Sequence, residues 1–189
     1  MTRPALPAIF DLDAYSGGFF DGHAEHPTAV DVTGPRPRCG DAGMSDRDWN
    51  EQNRLVIGEF RANAGKVGGY FADKPLLLLT TTGAKSGASR TNPLGYLVDG
   101  DRHVVFASVV GEPTNPAWYH NLLANPDVTV EVGTEIFPAT AVVATGVERD
   151  RLYARHAAQH PQWATYQTRT TRQIPVIMLV RRADVHPPA

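Results

Sequence analysis

Cysteine is nearly absent: Cys39 is the single one in 189 residues. A lone thiol excludes an internal disulfide and a cysteine-built zinc cluster, and it points to a reducing cytoplasm. Long apolar runs are missing too. Nothing approaches the ~18 residues of a membrane span, so no integral membrane segment is expected. The N-terminus lacks the charged-then-apolar order of a secretion signal. There is no excess of positive charge. Lys and Arg number 18 against 20 Asp and Glu, for a net charge of −2, which supplies no global field to draw in nucleic acid. No Gly-x-Ser-x-Gly elbow occurs, so a hydrolase-type serine nucleophile is unsupported. A Walker loop is also missing: Lys85 has no glycine directly before it. Within 44–189 there is no internal repeat and no low-complexity tract.

What remains is 42% hydrophobic and 20% charged, the composition of one globular domain with a sizeable core. Residues 1–43 differ from the rest. They are rich in Pro, Gly, Asp and His and follow no sustained period. Gly34-Pro35-Arg36-Pro37-Arg38 opposes both helix and central strand. The expectation is a flexible or loosely docked N-terminal extension over 1–43 and a folded domain over 44–189. His23 and His26, beside Asp21 and Glu25, read as a solvated polar segment, and no metal is expected.

A helix is predicted from about Asp46, with Ser45 as N-cap and Asp48 at capping-box spacing. Trp49, Val56 and Phe60 share one face, and Gly65 is a natural stop. Strands dominate after it. Residues 76–81 form a short apolar strand. Residues 91–98 and 103–109 flank Asp99-Gly100-Asp101, a hairpin signal. Residues 116–125 read as a short helix, with Pro116 in the first turn and Pro126 after it. Strands 128–132 and 135–145 flank Gly133. Residues 147–159 are helical, 162–169 helical or turn, and 174–180 a closing strand. Hairpins rather than helical crossovers join most strands. That disfavours a doubly wound parallel sheet and fits a mainly β fold with peripheral helices (α+β), a small antiparallel barrel of about six strands.

The chemistry concentrates in 80–96, Thr-Thr-Thr-Gly-Ala-Lys-Ser-Gly-Ala-Ser-Arg-Thr-Asn-Pro-Leu-Gly-Tyr. Gly83 and Gly87 allow a tight loop whose N–H groups can approach an anion. Lys85 and Arg90 add positive charge, and Ser86 and Ser89 add neutral donors. A phosphate-bearing ligand suits that set; a solvated hairpin turn is the competing reading. Elsewhere, Trp118 reads first as a core anchor, and Trp163 and Tyr166 as packing. His156 and His160 are one helical turn apart, without a third ligand beside them.

Taken together, the segments Leu-Leu-Thr-Thr-Thr-Gly-Ala-Lys-Ser-Gly at 78–87, Arg-Thr-Asn-Pro-Leu at 90–94, Asn-Pro-Ala-Trp-Tyr-His-Asn-Leu at 115–122, Ala-Asn-Pro at 124–126, and Tyr-Gln-Thr-Arg-Thr with Ile-Pro-Val in 166–176 resemble the deazaflavin-dependent nitroreductase family. That family is a branch of the split β-barrel flavin and deazaflavin oxidoreductases. The resemblance covers about 53–181. It implies a six-stranded split β-barrel of the FMN-binding type and the cofactor F420, a 5-deazaflavin with a phospholactate and oligoglutamate tail; FMN is the alternative. It implies that Lys85, Ser86, Gly87, Ser89 and Arg90 hold the phosphate and tail. Asn92 and Pro93 would line the deazaflavin side. Phe106, Ala107 and Ser108 would form a strand under the ring, and Ala117, Trp118, Tyr119 and Asn121 the next wall. Trp163 and Tyr166 would lie over the substrate pocket, with Ser108 and Tyr166 as the catalytic donors to a quinone, enone or nitro oxygen. The implied activity is hydride transfer from the reduced deazaflavin to a small electrophilic acceptor. A non-catalytic protein that sequesters F420 or a hydrophobic ligand is the reading from another class. A homodimer is left open. Three positions depart from the family: Ala84 where a second basic residue is usual, Gly95 where a bulky one is common, and Val109 where a lysine often follows the serine.

Overall fold

The computed structural model describes residues 46–182 apart from Asp73. The expected arm over 1–43, the Ser45 cap and the His23/His26 pair lie outside the described residues. The elements are α1 (Asp46–Ala62), β1 (Leu76–Thr82), β2 (Ser89–Asp99), β3 (Arg102–Phe106), α2 (Ala117–Ala124), β4 (Asp127–Val132), β5 (Glu135–Ala144), α3 (Gly146–Gln159), α4 (Gln162–Thr168) and β6 (Val176–Arg181). The six strands close into a barrel in the order β1-β2-β3-β6-β5-β4, every neighbouring pair antiparallel.

Alternation along each strand sorts the side chains into two layers. Leu77, Leu79, Val105, Ala107, Val128, Val130, Phe137, Ala139, Ala141, Ile177 and Leu179 fill the interior, and Trp118 and Leu122 of α2 close it at one end. Each fully buried Leu or Ile contributes about 1.5–3 kcal/mol by leaving water. Helices cover part of the opposite face of the sheet. Phe60 of α1 packs on Leu76 and Leu78, with Val56 and Ile57 beside it. Arg61 fixes that helix to β4, donating from Nε to Glu131 Oε2 at 3.0 Å and from Nη2 to Oε1 at 2.5 Å. On the far side α3 and α4 cover Leu97, Val104, Phe106, Val176 and Met178. Arg151 and Arg155 of α3 reach Asp99, which Arg102 also binds.

Several ends shift by a residue or two, the last strand starting at Val176 rather than 174, and two of the differences bear on the site. The second strand starts at Ser89, because Thr82 pairs with Ser89 and the ladder runs on to the loop. The third stops at Phe106, short of 109. There the Ser108 N–H turns back to the Phe106 carbonyl at 3.0 Å, and Val109 and Val110 have φ of 45° and 57°. Left-handed backbone cannot continue a strand.

Connection lengths are unequal at the two ends. The lower end has the tight turns β2–β3 and β4–β5. The upper end carries the β1–β2 loop, the β3–β4 connection with α2, and the β5–β6 connection with α3 and α4. Every site residue expected from sequence except those within β2 lies on or beside these upper connections, and Asn92 and Pro93 follow the loop directly.

Candidate active site at the upper end of the barrel

The β1–β2 loop is built around two glycines. The Gly83 N–H bonds the Ala88 carbonyl and the Gly87 N–H bonds the Gly83 carbonyl, both at 2.8 Å. A Cβ on Gly83 would meet Ser86 Oγ at 2.7 Å and the Ala88 carbonyl at 3.1 Å, and Gly87 has φ +67°; ordinary side chains fit neither place. Ser86 Oγ accepts from the Ala88 N–H at 3.3 Å, so this hydroxyl braces the loop and keeps its own proton to donate. The Ala84 N–H donates to Asn121 Oδ1 at 3.0 Å, and Asn121 Nδ2 donates to Thr81 Oγ1 at 3.2 Å. One asparagine on α2 therefore latches loop to barrel.

What the loop leaves open matters more. Among the described residues the N–H groups of Lys85 and Ser86 have no acceptor, and Lys85 and Arg90 enter no ion pair. Ser86, Ser89, Lys85 and Arg90 are all exposed. Two adjacent N–H groups open to solvent, two cations and two hydroxyls are a donor set that an anion could take up. Arg90 also lines a cleft of about 300 Å³ between α1 and β2, with Ser89, Thr91, Asn50 and Asn53 on its walls. The donors present fit a phosphate with an acidic tail.

Beside the loop, Asn92 is half-buried and shares the inward face of β2 with Leu94 and Tyr96, which pack on the interior core. Pro93 is buried on the other face, opposite Leu78. Trp118, 6% exposed, plugs the barrel as a core anchor, whereas Tyr119 is half-buried and Ala117 exposed. Ala107 is buried in the interior and Ser108 is also buried, 8% exposed. Both lie past the strand that was expected to carry them.

Phe106, Trp163 and Tyr166 are brought together, but away from the loop. The Phe106 ring faces outward, stacked on His156 at 4.1 Å and 13° and tilted against Trp163 at 5.3 Å. Trp163 meets Tyr166 edge-on at 5.4 Å, and Tyr166 is 7% exposed. Phe106 therefore has its face taken by an imidazole rather than open to a ligand. The aromatic cluster joins the site through backbone: a Cβ on Gly111 would lie 2.7 Å from the Tyr166 carbonyl oxygen.

Four features were missed from sequence. Thr81 shares the Asn121 latch. Val109 and Val110 hold left-handed φ at about 1–2 kcal/mol each. Arg172 and Asn115 bond each other across the loop after β3. His156 is 4% exposed, and among the described residues neither ring nitrogen has a partner. Burial, with His160 4.8 Å away, pushes its pKa down to about 4. Neither a strained valine nor an orphaned histidine leaves a sequence signal. Among the described residues no group of three or more His, Cys, Asp or Glu could hold a metal, and no helix is long and apolar enough to cross a membrane.

Residues 52–181 match the family model for F420H(2)-dependent quinone reductase. The chain is 42% identical over 135 residues to an F420H(2)-dependent quinone reductase of Mycobacterium tuberculosis, covering 68% of this chain and 89% of that protein. A solved F420-H2 dependent reductase is 40% identical, with coverage of 59% of this chain and 99% of its own and a TM-score of 0.53. A chain solved as a domain-swapped dimer is 38% identical, with coverage of 71% and 99% and a TM-score of 0.54.

Proposed function

The chain belongs to the F420H(2)-dependent quinone reductase family, and on that premise we propose that it binds coenzyme F420 at the upper end of the barrel and reduces a small quinone-type acceptor there. When bound, the reduced deazaflavin supplies the hydride. The chain's own residues bind, orient and exclude water. Lys85, Arg90 and the N–H groups of Lys85 and Ser86 hold the phosphate, and Ser86 and Ser89 add hydroxyl donors. Arg90 stands where the loop meets the α1–β2 cleft, a cationic bank for an acidic tail. Asn121 keeps the loop in shape through Ala84 and Thr81. Asn92, Ala117 and Tyr119 edge the ring side, while Trp118 and the packed interior shut water out from below. The Ser108 hydroxyl is the hydrogen-bond donor assigned to the acceptor oxygen; after hydride transfer, one proton from solvent completes the reduction. Tyr166 and Trp163 act on the acceptor side through the turn at Gly111.

The observation that carries this reading is the donor set of the 83–90 loop, an anion site within a chain of this family. The acceptor class follows the family. A homodimer is the proposed assembly, on the neighbour solved as a domain-swapped dimer, and the reducing cytoplasm suits the lone Cys39. The test is oxidation of F420H2 by a soluble quinone, followed by returning deazaflavin fluorescence, in the parent and in Ser108→Ala. Turnover that falls in Ser108→Ala with unchanged F420 affinity supports the assignment. No turnover with any quinone, enone or nitro acceptor despite tight binding would leave a sequestering protein instead.

A further inference from the structure

Arg172 stands in the connection between α4 and β6, next in sequence to none of the site residues named above. Its guanidinium nevertheless spends its donors on one segment. Nη1 donates to the Ala107 carbonyl at 3.0 Å and to Asn115 Oδ1 at 2.7 Å. Nη2 donates to the Ser108 carbonyl at 2.6 Å, and Nε to the Glu112 carbonyl at 2.8 Å. All four acceptors are neutral, and among the described residues no carboxylate pairs with it. A half-buried arginine without a counter-charge is unusual, because its usual partner is a carboxylate. The segment it grips is the strained one. Val109 and Val110, both β-branched, sit between its anchors with φ of 45° and 57°. The left-handed turn follows Ser108 directly, and the same segment abuts Tyr166 at Gly111.

We propose that Arg172 is a positioning residue for the acceptor site: its planar fork clamps 107–115 in the strained shape that presents Ser108, and the anion loop across the barrel mouth does not depend on it. This rests on the reading above that Ser108 faces the acceptor. A lysine cannot replace it, since one ammonium cannot span four acceptors fixed in this fork.

The experiment compares the parent with Arg172→Ala, Arg172→Lys, Val109→Gly and the double variant Arg172→Ala/Val109→Gly, in two measurements. The first is amide hydrogen exchange of the protein without ligand. Arg172→Ala should speed exchange over 107–115 and leave the barrel strands unchanged. The second is F420 affinity beside kcat and KM for a soluble quinone. Arg172→Ala and Arg172→Lys should both lose at least about tenfold in kcat/KM while F420 affinity stays within about threefold. Guanidinium ion at tens of millimolar should restore part of the Arg172→Ala loss. Glycine takes the left-handed conformation without strain, so Val109→Gly should cost less in the Arg172→Ala background than in the parent. Unchanged exchange over 107–115, full activity in Arg172→Lys, or a parallel fall of F420 affinity and turnover with faster exchange throughout the barrel would each overturn the proposal. A parent that binds no F420 would overturn the functional reading, and the acceptor role with it; the exchange result would still decide whether the clamp exists.

Discussion

His156 offers a prediction with a definite sign. Its ring stacks on Phe106 and meets Trp163 edge-on, His160 lies 4.8 Å away, and among the described residues neither nitrogen has a partner. Burial lowers its pKa from 6.5 to about 4. Above pH ~6.5 the imidazole is neutral folded and unfolded, so it has no effect on the pH dependence. As pH falls from there the unfolded chain takes up a proton and the folded one does not. Stability then drops by about 1.4 kcal/mol per unit until the folded ring also protonates near pH 4, a total of about 3 kcal/mol. His156→Phe keeps a stacking ring and removes both unsatisfied nitrogens. Its stability relative to the parent should rise steadily as pH is lowered from about 6.5 to 4.5. The assay is chemical denaturation of both proteins at several pH values, read as the difference in unfolding free energy. His103, whose pKa burial also lowers, is common to both and cancels. Asp99 acts in another window: Arg151 and Arg102 hold its carboxyl down to about 2, so its contribution is lost only as pH falls below the ordinary 3.8. A difference between the two proteins that stays constant across that range, about pH 6.5 to 4.5, would refute the burial argument.

Other outcomes follow from the same geometry. Asn121→Ala removes both latch bonds at the loop, about 1–3 kcal/mol in all, and should weaken F420 binding in titration more than it lowers the melting temperature. Trp163→Ala opens the cluster over Phe106 and His156; roughly 2–3 kcal/mol of stability should be lost, with a changed ranking of quinone, enone and nitro acceptors at similar F420 affinity. A protein beginning at Met44 should melt within a few degrees of the full chain and bind F420 as well, measured by thermal scan and titration.

The barrel was legible because its signals are local. Asp99-Gly100-Asp101 and Gly133 mark hairpins, alternation sets the two faces, and Gly65 and Pro126 end helices. The β1–β2 loop was legible for the same reason: Gly83 and Gly87 mark its turn, and Lys85, Ser86 and Arg90 are close to them in sequence. What escaped is long-range. Arg172 reaches carbonyls about sixty residues away, and no pattern near it announces three backbone carbonyls and an amide oxygen as acceptors. The end of β3 escaped because two valines favour strand, yet tertiary bonds hold them left-handed. Phe106 was expected beneath a cofactor ring. Alternation from Val105 in the core turns it outward instead, to His156.

The 83–90 loop is proposed to hold the phosphate end of F420. The most direct test is a fluorescence titration of the protein with oxidised F420 and, separately, FMN, repeated for Lys85→Ala and Arg90→Ala at two salt concentrations. F420 should bind more tightly than FMN. Each substitution should remove a charge-assisted contact of about 1.5–3 kcal/mol, roughly ten- to more than a hundredfold in affinity, and flatten the salt dependence. Equal or tighter FMN binding would contradict the choice of cofactor, and parental F420 affinity in both variants would contradict the site.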